Sequence, residues 1–290
     1  MIREIQVKTL LASVKQPDRE FGMKYNLNLY RGCQHQCIYC DSRSECYQIE
    51  NFSDILVKVN AIELLERELS RKRVKGAIGT GSMNDPYMPI ELRYNLTGQA
   101  LKLIARFGFG VHIITKSDLV LRDLETLVQI NRVHAAVCFT ITTAGDGLGK
   151  KLEPGAPLVS MRYRAMKTLA QAGIPVGVSL MPVLPFIEDN PENITEIVEL
   201  AAENGASFIV PWFGMSLRDR QRAYYYEQLD RLFPGVRKAY EQRFGERYTC
   251  SVANARELSR LFYTLTGRYG IQDHIPTFET APAASQPGLF

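Results

Sequence analysis

A chain of 290 residues, of which 46% are hydrophobic, is long enough to bury a sizeable core as one large domain or two small ones. Its formal net charge of +4 permits an anionic partner without requiring one. Six cysteines in a chain of this length indicate metal chemistry in a reducing compartment rather than a disulfide framework. The first residues form no apolar leader and no apolar run reaches about 18 residues, so we expect a cytoplasmic protein without a membrane partner.

Segments typical of strands and of helices alternate along most of the chain. Residues 1–24 are polar and mixed, which indicates an N-terminal arm. We predict strands at 25–31, 75–80, 109–115, 134–142, 174–181 and 206–212, and amphipathic helices at 53–71, 95–107, 118–130, 158–172 and 190–204. This alternation predicts right-handed crossovers and a parallel sheet.

Six such units are too few for a closed eightfold barrel. The predicted α/β fold is therefore an open six-stranded (β/α)6 partial barrel at residues 25–215. A C-terminal helical extension at 216–270, with its last helix near 252–268, and a flexible tail at 271–290 complete the predicted organisation.

Three thiols follow the first predicted strand within eight residues, at Cys33, Cys37 and Cys40. Clustered thiolates select zinc, copper(I) or an iron–sulfur cluster. A structural zinc site needs four ligands, usually in two pairs, and no matching second pair of cysteines occurs. The alternatives are three free cysteines in a loop, or a partial zinc site that His35 or Cys46 completes. Three thiolates on a four-iron cluster would leave one iron open to a ligand.

The spacing Cys-x3-Cys-x2-Cys, with Tyr39 directly before the last cysteine, resembles the signature of the radical S-adenosylmethionine (SAM) enzymes. The resemblance implies a partial TIM barrel of the radical SAM type and a [4Fe-4S] cluster held by the three cysteines, with SAM on the fourth iron. It also implies an external one-electron donor, such as a flavodoxin or ferredoxin. The reduced cluster would cleave SAM to a 5′-deoxyadenosyl radical, which abstracts hydrogen from a substrate.

Loops after the later strands supply candidate contacts to SAM, because working residues in parallel barrels follow the carboxyl ends of the strands. The loop after the second predicted strand offers small and polar residues, at Gly79, Gly81, Ser82, Asn84 and Asp85. The resemblance assigns this loop to the amino group of SAM. A plain glycine-rich turn is the alternative interpretation.

Two later strands add further candidates. The resemblance assigns Lys116, after the third strand, to the SAM carboxylate, although a lysine solvated at a strand end would look the same. Thr140 on the fourth strand could contact SAM through its hydroxyl. Glu153-Pro154 and Arg162 match the family's Glu-Pro and downstream Arg. Arg162 could bind SAM or could pair with Glu153, and the sequence leaves both open.

The run Asn84-Asp85-Pro86-Tyr87 resembles the radical SAM branch of spore photoproduct lyase and related DNA-repair lyases. In that branch the lyase uses a cysteine just after the second strand as hydrogen donor, and the matching loop from Gly79 to Tyr87 contains none. Cys46 and Tyr87 are the candidate donors by position. We predict a radical SAM enzyme that acts on DNA. The alternatives are modification of RNA or a peptide, and a metal-bound nucleic-acid-binding module without SAM chemistry.

Two C-terminal features favour a nucleic-acid setting. Arginines alternate with tyrosines from Arg218 onward, which suits phosphate and base contacts or, equally, a solvated amphipathic helix. The last residues, Gln286, Leu289 and Phe290, resemble the short peptide by which bacterial replication and repair proteins dock on the sliding clamp. The sequence therefore predicts DNA and a sliding clamp as partners.

Overall fold

The computed structural model describes residues 1–16, 19–49 and 51–278. Its strands are β1 (Ile2–Ile5), β2 (Leu11–Ser13), β3 (Tyr25–Leu27), β4 (Tyr30–Arg31), β5 (Ile55–Lys58), β6 (Ala77–Thr80), β7 (Gly110–Thr115), β8 (Ala135–Thr140), β9 (Val176–Leu180), β10 (Phe208–Pro211), β11 (Gly214–Ser216) and β12 (Thr249–Ser251). Its α-helices are α1 (Ala61–Arg71), α2 (Glu91–Tyr94), α3 (Leu96–Arg106), α4 (Leu124–Asn131), α5 (Asp146–Leu152), α6 (Val159–Gln171), α7 (Pro191–Glu203), α8 (Asp219–Leu232), α9 (Val236–Phe244) and α10 (Ala255–Tyr269). Three 3-10 helices lie at Asp41–Arg43, Glu45–Tyr47 and Asp118–Asp123.

The main sheet is mostly parallel, as the alternation of elements predicts. Its strand order is β10-β9-β8-β7-β6-β3-β2, and every neighbouring pair except β2 with β3 is parallel. All the residues of β8 and β9 are buried, which is typical of strands whose two faces are both covered. The apolar runs that predicted these strands therefore follow from their central place in the sheet.

All six predicted strands of the main sheet are present and parallel, but the sheet in the described part of the chain has a seventh strand. The additional strand is β2, which belongs to the predicted N-terminal arm and pairs antiparallel with β3. The arm also contributes β1, which pairs parallel with β5. Residues 1–24 thus contribute strands to two sheets. β2 has only three residues, which is too short to show a period in the sequence.

The predicted helix at 53–71 begins only at Ala61. Residues Ile55–Lys58 form β5 instead, with alternating burial, and join a small three-stranded sheet between β1 and β4. The predicted first strand is divided in the same way, because Tyr25–Leu27 belongs to the main sheet and Tyr30–Arg31 to the small one. The small sheet lies next to the three-cysteine segment in the chain.

The C-terminal elements do not begin at the predicted boundary between 215 and 216. That boundary cuts β11, which pairs antiparallel with β12, and α10 packs against α7 of the main fold. The predicted flexible tail from 271 is also wrong in its first residues, since Gln272 bridges to Phe208 and Ile275 is fully buried. The predicted clamp-binding residues, Gln286, Leu289 and Phe290, lie outside the described residues.

No helix in the described ranges is long and apolar enough to cross a membrane.

Two histidine side chains are in contact near the amino-terminal ends of β7 and β8. The Nε2 atoms of His112 on β7 and His134 lie 2.6 Å apart, and His112 Nδ1 lies 2.7 Å from the carbonyl oxygen of Phe21. Burial, with the neighbouring His134 second, lowers the pKa of His112 to about 4. Because the folded protein resists protonation here, the unfolded chain binds more protons between about pH 6.5 and pH 4.

Stability should therefore fall as the pH drops through that window. Between pH 7.5 and pH 4, His112 should lower the free energy of unfolding by about 1–3 kcal/mol. We expect the His112→Gln variant to lose this contribution. Denaturant unfolding at the two pH values measures it. Val111→Ala, a buried substitution on the same strand, is the matched control and should lower stability equally at both pH values. An unchanged pH dependence in His112→Gln would show that His112 is not the source of the pH-dependent stability.

Candidate functional site

Cys33, Cys37 and Cys40 line a single cavity of about 130 Å³. The remaining lining residues come from the cysteine segment and from the ends of β6, β7 and β8, and they are His35, Ser42, Gly81, Ser82, Met83, Asn84, Asp85, Ile114, Thr115, Lys116 and Thr140. Most of the predicted site residues are thus brought together, at the carboxyl edge of the parallel sheet, where active sites of such folds lie.

The cysteine segment is held by backbone contacts from a distant part of the chain. The amide of Ile38 donates to the carbonyl of Leu152, and the amide of Gly155 donates to the carbonyl of His35, each at 2.9 Å. A Cβ at Gly155 would lie 2.1 Å from the carbonyl oxygen of Gln34, so only glycine permits this approach. The end of α5 and the loop after it therefore fix the shape of the cysteine segment.

The three thiols form a soft donor set. Cys33 and Cys37 are buried and Cys40 is half-buried. Burial raises the pKa of Cys33 to about 12 and also raises the pKa values of Cys37 and Cys40. Buried thiols of this kind ionise when a metal takes the place of the proton.

In the part of the chain that the structure describes, no three Cys, His, Asp or Glu side chains are arranged around a single metal ion. An iron–sulfur cluster does not require such a group, because each thiolate binds a different iron.

Asp85 connects three of the segments that line the cavity. Its carboxylate accepts hydrogen bonds from the Tyr87 amide at 2.8 Å, the Thr115 hydroxyl at 2.7 Å and the Lys116 amide at 2.6 Å. His35 Nδ1 lies 3.3 Å from Asp85 Oδ2. Burial alone would raise the pKa of Asp85, but the His35 imidazole and these hydrogen bonds outweigh it and lower the pKa to about 2. Asp85 is therefore a fixed anion.

Gly81 and Asn84 hold the same loop in place. Gly81 has a φ of +98°, and a Cβ there would lie 2.0 Å from the carbonyl oxygen of Ile114 on β7. Asn84 donates its side-chain amide to the carbonyl of Tyr30. The glycine and the two polar residues that the sequence singles out thus shape the loop, whatever ligand they contact.

A second ionic group lies beside the cavity and centres on Glu153. This buried carboxylate pairs with Arg162 at 2.5 Å, lies 3.8 Å from Lys116 Nζ, and accepts a hydrogen bond from the Tyr39 hydroxyl. Burial opposes ionisation, but the charges of Arg162 and Lys116 outweigh it and lower the pKa of Glu153. Glu153 and Arg162 therefore pair with each other.

Lys116 is the member of this group that also lines the cavity. Burial alone would lower the pKa of Lys116, but the Cys37 sulfur and Glu153 outweigh burial and raise it. The lysine is thus held as a cation, with its ammonium group partly committed to Glu153 and still available to an anionic ligand.

Five of the predicted site residues do not line the cavity: Tyr39, Cys46, Gly79, Tyr87 and Arg162. Gly79 lies in β6 and packs against Met23. Tyr87 is buried, and its hydroxyl donates to Asp123 Oδ2 at 3.0 Å. Cys46 is exposed, in the 3-10 helix Glu45–Tyr47. Neither predicted hydrogen donor faces the three thiols.

Sequence reasoning missed His35 and Thr115 as lining residues. The sequence indicates His35 only as a possible zinc ligand, although its place between the first two cysteines is itself a signal. Thr115 directly precedes Lys116, and its role became visible only when the structure showed its hydroxyl on Asp85, 30 residues away.

A family model described as the radical SAM superfamily matches residues 27–201, which is more than half of the chain. The chain belongs to the radical SAM superfamily. This family uses a [4Fe-4S] cluster and SAM. The buried soft donor set fits such a cluster, and Cys33, Cys37 and Cys40 are the residues that would hold it. When bound, the cluster supplies the electron that cleaves SAM.

Three comparisons describe what this chain is similar to. An uncharacterized protein of Mycobacterium tuberculosis is 28% identical over 276 residues, which cover 91% of this chain and 80% of the relative. Spore photoproduct lyase complexed with dinucleoside spore photoproduct has a TM-score of 0.71 at 16% identity, over 93% of this chain and 81% of the lyase. The radical SAM Nalpha-GlyT isomerase of Pseudomonas phage M6 is 24% identical over 181 residues, which are 62% of this chain and 37% of the isomerase.

Arg43 is a fixed positive charge behind the cysteine segment. Its guanidinium lies 3.6 Å from the ring centroid of Tyr224 and 4.4 Å from that of Phe52. It also donates to Gln36 Oε1 at 2.9 Å, and Gln36 in turn donates to the carbonyl of Cys33. A held cation next to a cluster stabilises the reduced form, because reduction adds negative charge.

Arg43→Gln should therefore lower the midpoint potential of the reconstituted cluster by tens of millivolts. A redox titration followed by electron paramagnetic resonance measures this shift. Arg268→Gln, an exposed arginine on α10, is the control and should leave the potential unchanged. Equal potentials in wild type and Arg43→Gln would show that Arg43 only packs between its two rings.

Proposed function

We propose that this radical SAM enzyme acts on DNA, with a lesion-repair reaction of the type carried out by spore photoproduct lyase. The observation that carries the SAM chemistry is the single cavity that unites three buried thiols, the loop fixed by Asp85 and the cation of Lys116. The run from Asn84 to Tyr87 and the likeness of fold to the lyase over 93% of this chain support DNA as the target.

The cavity supports a definite set of roles. Cys33, Cys37 and Cys40 would bind the cluster, and Lys116 would bind the SAM carboxylate. The amino group of SAM would lie against the loop that contains Gly81, Ser82, Asn84 and Asp85, and Thr140 would offer a hydroxyl. Tyr39, Gly79 and Arg162, which lie behind the lining, would support these contacts: Arg162 donates to the carbonyl of Thr140 at 2.9 Å and pairs with Glu153.

A second candidate reaction is an isomerisation of the substrate. Among the described lining residues, the only thiols are the three that would bind the cluster, so a cysteine donor is lacking inside the cavity. An isomerisation needs no such donor: the hydrogen taken from the substrate by the 5′-deoxyadenosyl radical is returned to the rearranged radical, which balances atoms and electrons. The phage M6 relative named as an isomerase supports this candidate.

Two partners complete the proposal. An external one-electron donor of the flavodoxin or ferredoxin type would reduce the cluster. A sliding clamp would bind Gln286, Leu289 and Phe290, and loss of clamp binding on deleting the last two residues is its test.

Anaerobic reconstitution with iron and sulfide, then dithionite reduction with SAM and damaged DNA, tests the central chemistry. We expect 5′-deoxyadenosine to form and Cys37→Ala to lower its yield by at least about 100-fold, because the cluster loses a ligand. Cys138→Ala is the matched control, since Cys138 is a buried cysteine on β8 outside the cavity, and it should retain the wild-type yield. Binding of zinc without formation of an iron cluster would overturn the proposal.

Cys46 is exposed, and the Tyr87 hydroxyl is bonded to Asp123, so we expect neither side chain to take part in SAM cleavage. Cys46→Ser and Tyr87→Phe should each retain 5′-deoxyadenosine formation within about twofold, because neither side chain reaches the cavity lining. Chromatography of the same assay measures it. A loss of more than tenfold in Tyr87→Phe, with the iron content unchanged, would restore Tyr87 as a participant in the chemistry.

A further inference from the structure

A shallow groove of about 640 Å³ lies between the end of β10 and helix α10. Trp212 and Phe213 leave β10 and form one wall, and Arg256, Arg260 and Tyr263 of α10 contribute to the other. Trp212 and Phe213 follow the carboxyl end of β10, so this wall of the groove lies at the edge of the sheet that also holds the cavity of the three cysteines.

Two large aromatic rings are exposed at this groove. Trp212, the single tryptophan of the chain, is 39% exposed, and Tyr263 is 50% exposed. Phe213 and Tyr263 both pack against Phe262, with ring centroids 6.0 Å and 5.2 Å away, so Tyr263 is held in place while half of its surface stays exposed. A single exposed ring is common on protein surfaces, but two on facing walls of one groove offer a site for a flat apolar ligand group.

The groove also carries the positive charge of two exposed arginines. Arg256 and Arg260 are both exposed and lie one turn apart on α10, where like charges disfavour the helix. A smaller hollow shares Ser251 with the groove and adds Arg243 and Arg247. Across the described ranges, none of these four arginines has a carboxylate within 4.0 Å in the ion pairs that the structure shows.

The arginines that the sequence singled out behave differently. Arg218 pairs with Asp41 at 2.5 Å, and Arg237 pairs with Asp230 and Glu241, both at 2.8 Å. Arg222 is buried and donates to three carbonyl oxygens of the backbone. The charges of Arg218, Arg222 and Arg237 are therefore engaged by other groups of the protein, whereas Arg256 and Arg260 of the groove have no ion-pair partner among the described residues.

We propose that this groove binds the DNA strand that carries the target base, with its arginines on the phosphates and Trp212 stacked on a base. The assignment rests on the proposed action on DNA and adds the surface that would deliver the base to the cavity. Exposed aromatic rings among cations are the recognition chemistry of an unpaired strand. An acidic protein would be attracted by the arginines but would leave the two rings without a stacking partner.

Fluorescence anisotropy with a fluorescein-labelled single-stranded DNA oligonucleotide tests the proposal on the reconstituted enzyme. The double variant Arg256→Gln/Arg260→Gln should bind roughly 10-fold more weakly, with a salt dependence shallower by about two phosphate contacts. Trp212→Leu should weaken binding roughly 5- to 10-fold with the salt dependence unchanged, because stacking releases no counterions. Arg237→Gln, whose guanidinium is already paired, is the control and should bind as wild type does.

The iron content and the unfolding temperature of each variant should equal those of the wild type, because surface substitutions usually change stability little. Equal values show that the variants are folded. If wild type binds DNA and the groove variants bind equally well, the groove assignment is wrong and the proposed function stands. If wild type binds no DNA, both are overturned. Arginine-dependent binding of polyglutamate in place of DNA would identify an acidic protein partner, and tighter binding of the matching RNA would move the substrate class to RNA. Either result overturns the assignment to DNA.

Discussion

The carboxylate of Asp85 is the interaction on which the site depends. It is buried, and it draws together the loop after β6, the end of β7 and the cysteine segment through Tyr87, Lys116 and His35. A buried anion is stable only where hydrogen bonds and nearby positive charge replace its lost hydration. The three segments must therefore approach one another for Asp85 to be tolerated at all, and their approach is what closes the cavity.

Glu153 repeats this arrangement one layer behind the lining. Its charge is balanced by Arg162 and Lys116, so the lysine that faces the cavity is held from the rear. Two buried carboxylates, Asp85 in the lining and Glu153 behind it, are each satisfied by partners from distant elements and thereby fix the lining. Buried ionic groups of this type define a geometry more than they add net stability.

The parts of the fold that were predictable from sequence are those that local patterns encode. The cysteines lie within eight residues, and the strands from β6 to β10 are apolar runs buried on both faces. The short strands of the arm were not predictable, because three or four residues carry no clear period and their pairing depends on β3 and β5. The sequence does not distinguish a Glu153–Arg162 pair from an Arg162 contact to SAM for a related reason, since charge pairing is a property of the folded geometry.

The arginine-rich stretch shows the same limit. The partner of Arg218, Asp41, is 177 residues away in the chain, and nothing near Arg218 in the sequence marks it as paired. Composition correctly indicated basic residues among aromatic ones in the C-terminal part. Which of them remain free for a ligand was decided by tertiary contacts that composition cannot contain.

The backbone hydrogen bonds of the cysteine segment determine what remains of the site when the cluster is lost. Ile38 is bonded to the last residue of α5 and His35 to the loop after it, by hydrogen bonds that involve no metal. Gln221 donates a further hydrogen bond to the carbonyl of Tyr39 at 3.0 Å. Small metal-dependent domains lose their fold when the metal leaves, because the metal is their main cross-link. Here the cross-links are made by the protein itself. Damage to an oxygen-sensitive cluster would leave a preformed cradle, and the chain could be reloaded rather than refolded or replaced.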